Sequence, residues 1–161
     1  MRFAACKLNG QSGHDAGRAL LERLYREETG LPLPPIRITE RGAPQFVGSD
    51  LHFSIAHTPR HAFCVLSDSP VGIDAEELDR RVCLSLAERI LSPFERKQFH
   101  ASPDPRRALL TFWVLKEAAA KQSGEGLRGF PNHTRFSLDD PRVMEWDGCL
   151  VAIFTEENDA V

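Results

Sequence analysis

Two acids two positions apart, and elsewhere an acid and a base four apart, are the residues best placed to do chemistry in this chain. The first pair is Asp74 and Glu76, at the exit of the apolar run Val71-Gly72-Ile73. Alternate side chains of a strand share a face, so both carboxylates project the same way, little farther apart than the reach of a shared cation. They make half of a metal site. The second set is Trp113, Glu117 and Lys121, whose four-residue spacing stacks them along one stripe of a helix. If that stripe faces the Asp74 strand, three carboxylates and an ammonium meet. Such a set suits a hard cation that prefers oxygen ligands and keeps water and phosphate in its shell, which describes Mg²⁺. The reaction class indicated is phosphoryl-type transfer. Taken alone, an acid and a base at i,i+4 are commonly only a helix-surface pair worth roughly 0.2–0.5 kcal/mol, and acids after a strand are often only a loop. The apolar surroundings weigh the other way. Val71 and Ile73 embed Asp74, while Phe112, Trp113 and Ala118 to Ala120 surround the helical pair, and charges within apolar runs need partners.

Periodicity supplies the elements that must position these groups. Residues 13–30 carry Ala16, Ala19, Leu20, Leu21, Leu24 and Tyr25 at helical spacing and stop at Gly30 and a proline cluster. Residues 36–39 read as a short strand and Arg41-Gly42-Ala43-Pro44 as a turn. Residues 52–56 and 61–67 are strand-like and flank His57-Thr58-Pro59-Arg60, a hairpin or tight corner with His57 at its mouth. Residues 71–76 form the strand that carries the acids. Residues 84–91 read as a helix, and Ser92-Pro93-Phe94-Glu95 as the capping-box start of another. Asp104-Pro105 opens the longest helix, 106–122, which Ser123-Gly124 ends. Strands are expected near 133–138, 142–146 and 149–155, with Asp147-Gly148 as a two-residue hairpin turn between the last two. The order predicts an α+β domain with helices packed on mainly antiparallel sheet.

At 161 residues, with 42% apolar and 27% charged content, the chain suits one ordinary core. No run approaches the ~20 apolar residues of a bilayer span, and Arg2, Cys6 and Lys7 break up the first residues, so no signal-peptide core is read. No membrane association is expected, and the protein should be soluble and cytoplasmic. Four cysteines without a CxxC pair read as reduced and structural. A net charge of −3 argues against a generic nucleic-acid binder. Residues 80–107 nonetheless hold seven bases against three acids, and from 139 onward seven acids face Arg142 alone. Both stretches can be plain solvated surface, but a basic patch would suit an acidic protein partner. His52, His57, His61 and Cys64 lack finger spacing, and alternation sends His52 and His57 to opposite sides, so zinc is not read. His57 by itself reads as a structural histidine at a strand end, and Phe112 and Trp113 as core.

The runs VGIDAE (71–76) and FWVLKEAAAK (112–121) resemble the two signature motifs of the phosphopantetheinyl transferase superfamily, a G-[VI]-D-x-E strand exit and a W-x-x-K-E-x-x-x-K helix. They stand in the family's order. Residues 84–99 resemble its hinge helices, Gly124-Glu125-Gly126-Leu127 its G-x-G-L loop, HFSIAHT (52–58) its F-[NS]-[IL]-S-H-S segment and Gly42-Ala43-Pro44 its G-K-P turn. Arg18-Ala19-Leu20-Leu21 fits the arginine-bearing first helix of the larger, Sfp-type members. The resemblance spans roughly residues 18–138.

It implies transfer of 4'-phosphopantetheine from coenzyme A to a serine of an acidic apo acyl or peptidyl carrier protein. By that resemblance Asp74, Glu76 and Glu117 hold Mg²⁺ at the diphosphate, and Glu117 also takes the serine proton. Lys121 neutralises or protonates the leaving 3',5'-ADP, and Lys116 contacts phosphate or neighbouring acids. Arg18 and His57 grip the 3'-phosphate, with Arg41, Gly42 and Pro44 beside the nucleotide, and the basic stretch 80–107 faces the carrier. Fatty-acid, polyketide and nonribosomal-peptide pathways all use such carriers. Departures are Ala43 where the family has lysine, a contact that is lost or replaced by Arg41, and Ala56 where it has serine. Only seventeen residues precede Arg18, so weaker coenzyme A binding is expected. The larger members further imply a monomer of two pseudo-symmetric α/β halves, residues 1–69 and 70–161, with the active site in the cleft between them. Two other readings stand beside this one: a catalytically weakened coenzyme A or carrier-binding module, and a structural or interaction protein whose acids are surface decoration.

Overall fold

A strand buried on both faces must send alternate side chains into two different cores, and two strands here do so. The computed structural model describes residues 1–124 and 134–155. Along the chain run β1 (Arg2–Lys7), α1 (Gly13–Thr29), β2 (Ile36–Ile38), β3 (Pro44–Phe46), β4 (His52–His57), β5 (His61–Ser67) and β6 (Val71–Glu77), then α2 (Ala87–Ile90), α3 (Pro93–Ala101), α4 (Pro105–Ser123), β7 (Val143–Trp146) and β8 (Cys149–Thr155). The two fully buried strands are β5 and β8. Each is the middle strand of a three-stranded antiparallel sheet, in the orders β1-β5-β4 and β6-β8-β7, while β2 and β3 form a separate ribbon.

From β5, Ala62, Cys64 and Leu66 pack with Leu20, Leu21, Leu24 and Tyr25 of α1. Phe63 and Val65 turn the other way and join Ile73 of β6 with Val151 and Ile153 of β8. The alternate residues of β8, Leu150, Ala152 and Phe154, meet Leu110, Val114, Leu115 and Ala118 of α4. The layers are therefore helix, sheet, sheet, helix, with a shared apolar core between the sheets. Each large side chain fully buried in these cores contributes about 1.5–3 kcal/mol. The edge strands β4 and β6 are neighbours, and the Ile73 N–H donates to Ser54 Oγ at 3.1 Å.

The chain ends its helices by local means. Ser12 accepts from the Asp15 N–H at 3.0 Å to start α1, and Gly30, at φ 71°, closes it. The capping box of α3 is complete: Ser92 Oγ accepts from the Glu95 N–H at 3.2 Å and Glu95 Oε2 from the Ser92 N–H at 2.9 Å. Asp104 accepts from the Arg107 N–H at 3.0 Å at the start of α4. Asp147 and Gly148 have φ of 45° and 79°, the positive pair that a two-residue β7–β8 hairpin requires.

Several expectations need correction. The first strand, β1, carried no strand reading in the sequence, yet all six of its residues pair with β5, from Arg2 opposite Leu66 to Lys7 opposite His61. The helix expected over 84–91 is a 3-10 turn, Leu84–Leu86, followed by the single-turn α2, and Cys83 supplies no side-chain cap. Residues 134–138 form no strand. Their backbone groups go to α3 instead: Gln98 donates to the Phe136 carbonyl at 3.0 Å and accepts from the Leu138 N–H at 3.1 Å. All four cysteines are free thiols, but Cys83 is exposed rather than structural. His133, the Glu125-Gly126-Leu127 part of the expected loop, and the acids Glu156, Glu157 and Asp159 lie outside the described residues. Among the described residues no helix is long and apolar enough to cross a membrane.

Candidate active site

The site depends on how closely α4 can lie on β6. A Cβ on Gly72 would stand 2.0 Å from the Ala118 carbonyl oxygen and 2.5 Å from the Gln122 nitrogen, so only glycine permits the contact. On the same face of β6, Asp74 then meets the end of α4. Lys121 Nζ donates to Asp74 Oδ1 at 2.8 Å and to the Ile73 carbonyl at 3.0 Å. One turn earlier on α4, Glu117 feels the Asp74 charge. Burial, and then that charge, push the Glu117 carboxyl up, against the pull of Lys121. Burial likewise pushes Asp74 up, and the Lys121 ammonium only partly offsets it. Two carboxylates that each resist ionisation in one half-buried place are a donor pair that a hard cation would relieve.

Glu76 shares the Asp74 face but is bonded to the Arg80 guanidinium. Among the described residues no group of three histidine, cysteine or acidic side chains is arranged to hold a metal. Asp74 is engaged by Lys121 and Glu76 by Arg80, so of the three expected carboxylates each of these two would have to exchange a base for the ion.

Across from the acids, a Cβ on Gly13 would stand 2.6 Å from Cγ of His57. The imidazole therefore lies on the first turn of α1. A cavity of about 720 Å³ opens here, lined by Arg18 of α1, Arg41, Gly42, Ala43 and Pro44 of the β2–β3 turn, His57 of β4, and Glu117 and Lys121 of α4. Ile36, Ile38, Phe53 and Ile55 give it an apolar side, and His14 adds a further imidazole. Every residue expected beside the nucleotide (Arg18, Arg41, Gly42, Pro44 and His57) borders the same space as Glu117 and Lys121. His57 also borders a second cavity, of about 740 Å³, shared with Glu76, Glu77 and Arg80.

Lys116 is elsewhere. Its side chain is fully buried and pairs with Glu95 Oε2 at 2.8 Å, with Thr134 also bonded. The neighbouring acid it meets is Glu95, and Lys116 does not line the cavity that Glu117 and Lys121 border. Burial lowers its basicity, against the pull of Glu95. Phe112 is fully buried, and the partly buried Trp113 stacks 5.9 Å from Arg80. In the basic stretch, Arg96 and His100 bond Glu88 at 3.0 and 3.2 Å, while Arg81, Arg89 and Lys97 are exposed.

Two polar residues near the site escaped the sequence reading, His14 and Glu77. His14 stands one helical turn before Arg18, and that four-residue spacing was the available signal. For Glu77 none was visible beside the Asp74 and Glu76 pair. The arrangement offers an acidic pair with a lysine on one wall, two arginines and two imidazoles opposite, and apolar surface between. That is a receptacle for a phosphorylated ligand with an apolar portion.

The chain is similar to proteins of one family. A family model described as the 4'-phosphopantetheinyl transferase superfamily matches residues 70–154. The chain is 30% identical over 116 residues to the 4'-phosphopantetheinyl transferase psf-1 of Bacillus pumilus, covering 69% of this chain and 49% of that protein. It is 32% identical over 156 residues to a putative 4'-phosphopantetheinyl transferase of Haemophilus influenzae, covering 89% and 59%. It is 34% identical over 88 residues to a holo-[acyl-carrier-protein] synthase of Cronobacter sakazakii, covering 48% and 70%. The chain spans about half the length of the Bacillus relative and rather more of the Haemophilus one.

Proposed function

Because the chain belongs to the 4'-phosphopantetheinyl transferase superfamily, we propose that it moves the phosphopantetheine arm of coenzyme A to a serine of an apo acyl or peptidyl carrier protein. The observation that carries this reading is the single cavity that gathers Arg18, Arg41, His57, Glu117 and Lys121 from four separate parts of the chain. Arg18 and His57 bind the 3'-phosphate, Arg41 with the Gly42–Pro44 backbone flanks the nucleotide, and the isoleucines with Phe53 cover its apolar parts.

Glu117 accepts the proton of the carrier serine as its oxygen bonds to the β-phosphorus. The bond from that phosphorus to the bridging oxygen breaks, the 3',5'-ADP keeps the electron pair, and Lys121 stabilises its charge. Asp74, Glu117 and Glu76, the last released from Arg80, would hold Mg²⁺, and the ion would supply neutralisation of the diphosphate. The remainder is positioning and charge stabilisation. Lys116 has a structural part, as the partner of Glu95. Arg81, Arg89 and Lys97 offer an exposed basic face for an acidic carrier.

The two-half reading, residues 1–69 and 70–161, belongs to the same proposal. It is supported by the recurrence of strand, helix and closing hairpin in both stretches, each with its last strand central in the sheet. We also take the protein to be a cytoplasmic monomer. The test is incubation with coenzyme A, Mg²⁺ and a panel of apo carrier proteins, read by mass. Gain of the phosphopantetheine mass on one of them is expected. Mg-dependent binding of coenzyme A without transfer to any would instead favour a binding module, and no binding at all would overturn both.

A further inference from the structure

We propose that Glu77 is a positioning residue that fixes His57 relative to the strand carrying Asp74 and Glu76, an inference that rests on the site reading above. Glu77 is the last residue of β6 and only 8% exposed. Its Oε1 accepts from the Thr58 hydroxyl at 2.8 Å and from the Arg60 N–H at 3.0 Å, and its Oε2 lies 2.9 Å from Arg60 Nη2. Thr58 and Arg60 form the turn directly after His57. The same guanidinium grips both oxygens of Asp79 at 2.8 and 2.9 Å, so the turn is tied twice to the chain leaving β6. Within the turn the Thr58 oxygen accepts from the His61 N–H at 3.0 Å. One buried carboxylate of β6 thus sets the position of a turn that belongs to the other sheet.

His57 ends β4 opposite Ala62 of β5, and the turn is closed by the Thr58 N–H on the His61 carbonyl at 2.8 Å, so the backbone is held within its own sheet and the ties to β6 run through Glu77 and the Arg60 side chain. The His57 ring rests on Gly13, which has no side chain to wedge it, and it faces a cavity on either side. Removing Glu77 leaves the Thr58 hydroxyl and the Arg60 N–H without their buried acceptor. The Thr58 side chain must then turn to another partner and the Arg60 N–H rely on Thr58 Oγ1 at 3.3 Å, which shifts the turn relative to β6 and, with it, the His57 ring at its edge. Glutamine at this position keeps an acceptor where Oε1 stands and gives up the one facing Arg60 Nη2, a guanidinium that Asp79 still holds.

The test labels the histidine rings with ¹³C and follows them by NMR in the full chain, with the His57 signals assigned by His57→Gln. Glu77→Ala is expected to shift or broaden the His57 signals while leaving those of His100, on α3, in place, and Glu77→Gln to restore them. Unmoved His57 signals in a folded Glu77→Ala would overturn the proposal. Should Glu77→Ala fail to fold, Glu77→Asp, whose shorter side chain draws the carboxylate back from Thr58 and Arg60, decides the matter by the same signals.

Coenzyme A binding by calorimetry gives the second readout. Losing a buried acceptor that acts through His57 should weaken binding about tenfold, with no further loss when Glu77→Ala is added to His57→Ala. Independent, additive losses would mean that Glu77 does not work through His57. If the unaltered protein binds no coenzyme A, the functional reading fails and the ring signals alone decide the role of Glu77.

Discussion

Glu117 and Lys116 adjoin in sequence but lie about 100° apart around α4, since a helix turns once in 3.6 residues, and that angle separates their work. Glu117 faces the cavity, where burial and the Asp74 charge hold its carboxyl above the usual range. Lys116 points into the layer beneath, onto Glu95. A motif written as a string shows them as one unit, so the sequence reading gave Glu117 to the reaction and left Lys116 between phosphate and the neighbouring acids. Counting the turn places Lys116 beside Phe112 and away from the Trp113, Glu117 and Lys121 stripe, and that distinction was legible. The partner Glu95 was not, because it was already accounted for as the far end of a capping box.

The raised carboxyl of Glu117 carries a prediction of opposite signs for activity and stability. Its ionised form is disfavoured in the folded state, so Glu117→Gln removes a repulsion with Asp74 along with the proposed proton acceptor. Transfer to the carrier serine should fall by roughly 10²–10⁴, the range of a general base, while the melting temperature stays equal or rises. A variant that keeps more than about a tenth of the transfer rate would contradict the assigned proton transfer.

At the scale of elements, the approach of α4 to β6 makes Gly72 decisive. Alanine there puts a methyl into the Ala118 carbonyl, so α4 must slide or lift, and Lys121 then leaves Asp74. Gly72→Ala should cost about 1–3 kcal/mol, as overpacking of a close contact does, and should depress transfer well beyond its effect on stability. Denaturant unfolding set against carrier modification checks this, and wild-type transfer in a folded variant would show that the packing does not set the site.

Elements with strong local signals were readable in advance: the α1 periodicity, the α3 capping box, the Asp-Gly hairpin. Those decided by distant partners were not. Arg2–Lys7 is short and polar at both ends, and becomes β1 only because β5 has an open edge to pair with. Residues 134–138 have the apolar content of a strand, yet Glu95 and Gln98 take their backbone groups. The cavity was legible as residue types but not as a place, since Arg18, His57 and Glu117 meet only through the packing of α1 on β4 and of α4 on β6.

For the whole molecule, the core between the sheets decides whether residues 1–69 and 70–161 are separable bodies. Phe63 and Val65 on one side and Ile73, Val151 and Ile153 on the other are buried in a single cluster, and neither sheet covers its inner face alone. Polar ties cross the same boundary. Glu77 holds Thr58, Ser54 holds Ile73, and His61, buried beneath Trp146, meets Asp147 at 2.9 Å and Cys149 at 3.3 Å. A chain stopped at Ser69 would expose the apolar face of β5 and leave these groups unpaired, so it should not fold by itself. The full chain should instead unfold in one step, with calorimetric and van't Hoff enthalpies equal and near about 110 kcal/mol around 60 °C for 161 residues. Two resolved transitions, or a folded 1–69 fragment by circular dichroism, would show that the halves are independent. The site would then be assembled by docking, and the binding of coenzyme A across the boundary would itself have to hold the halves together.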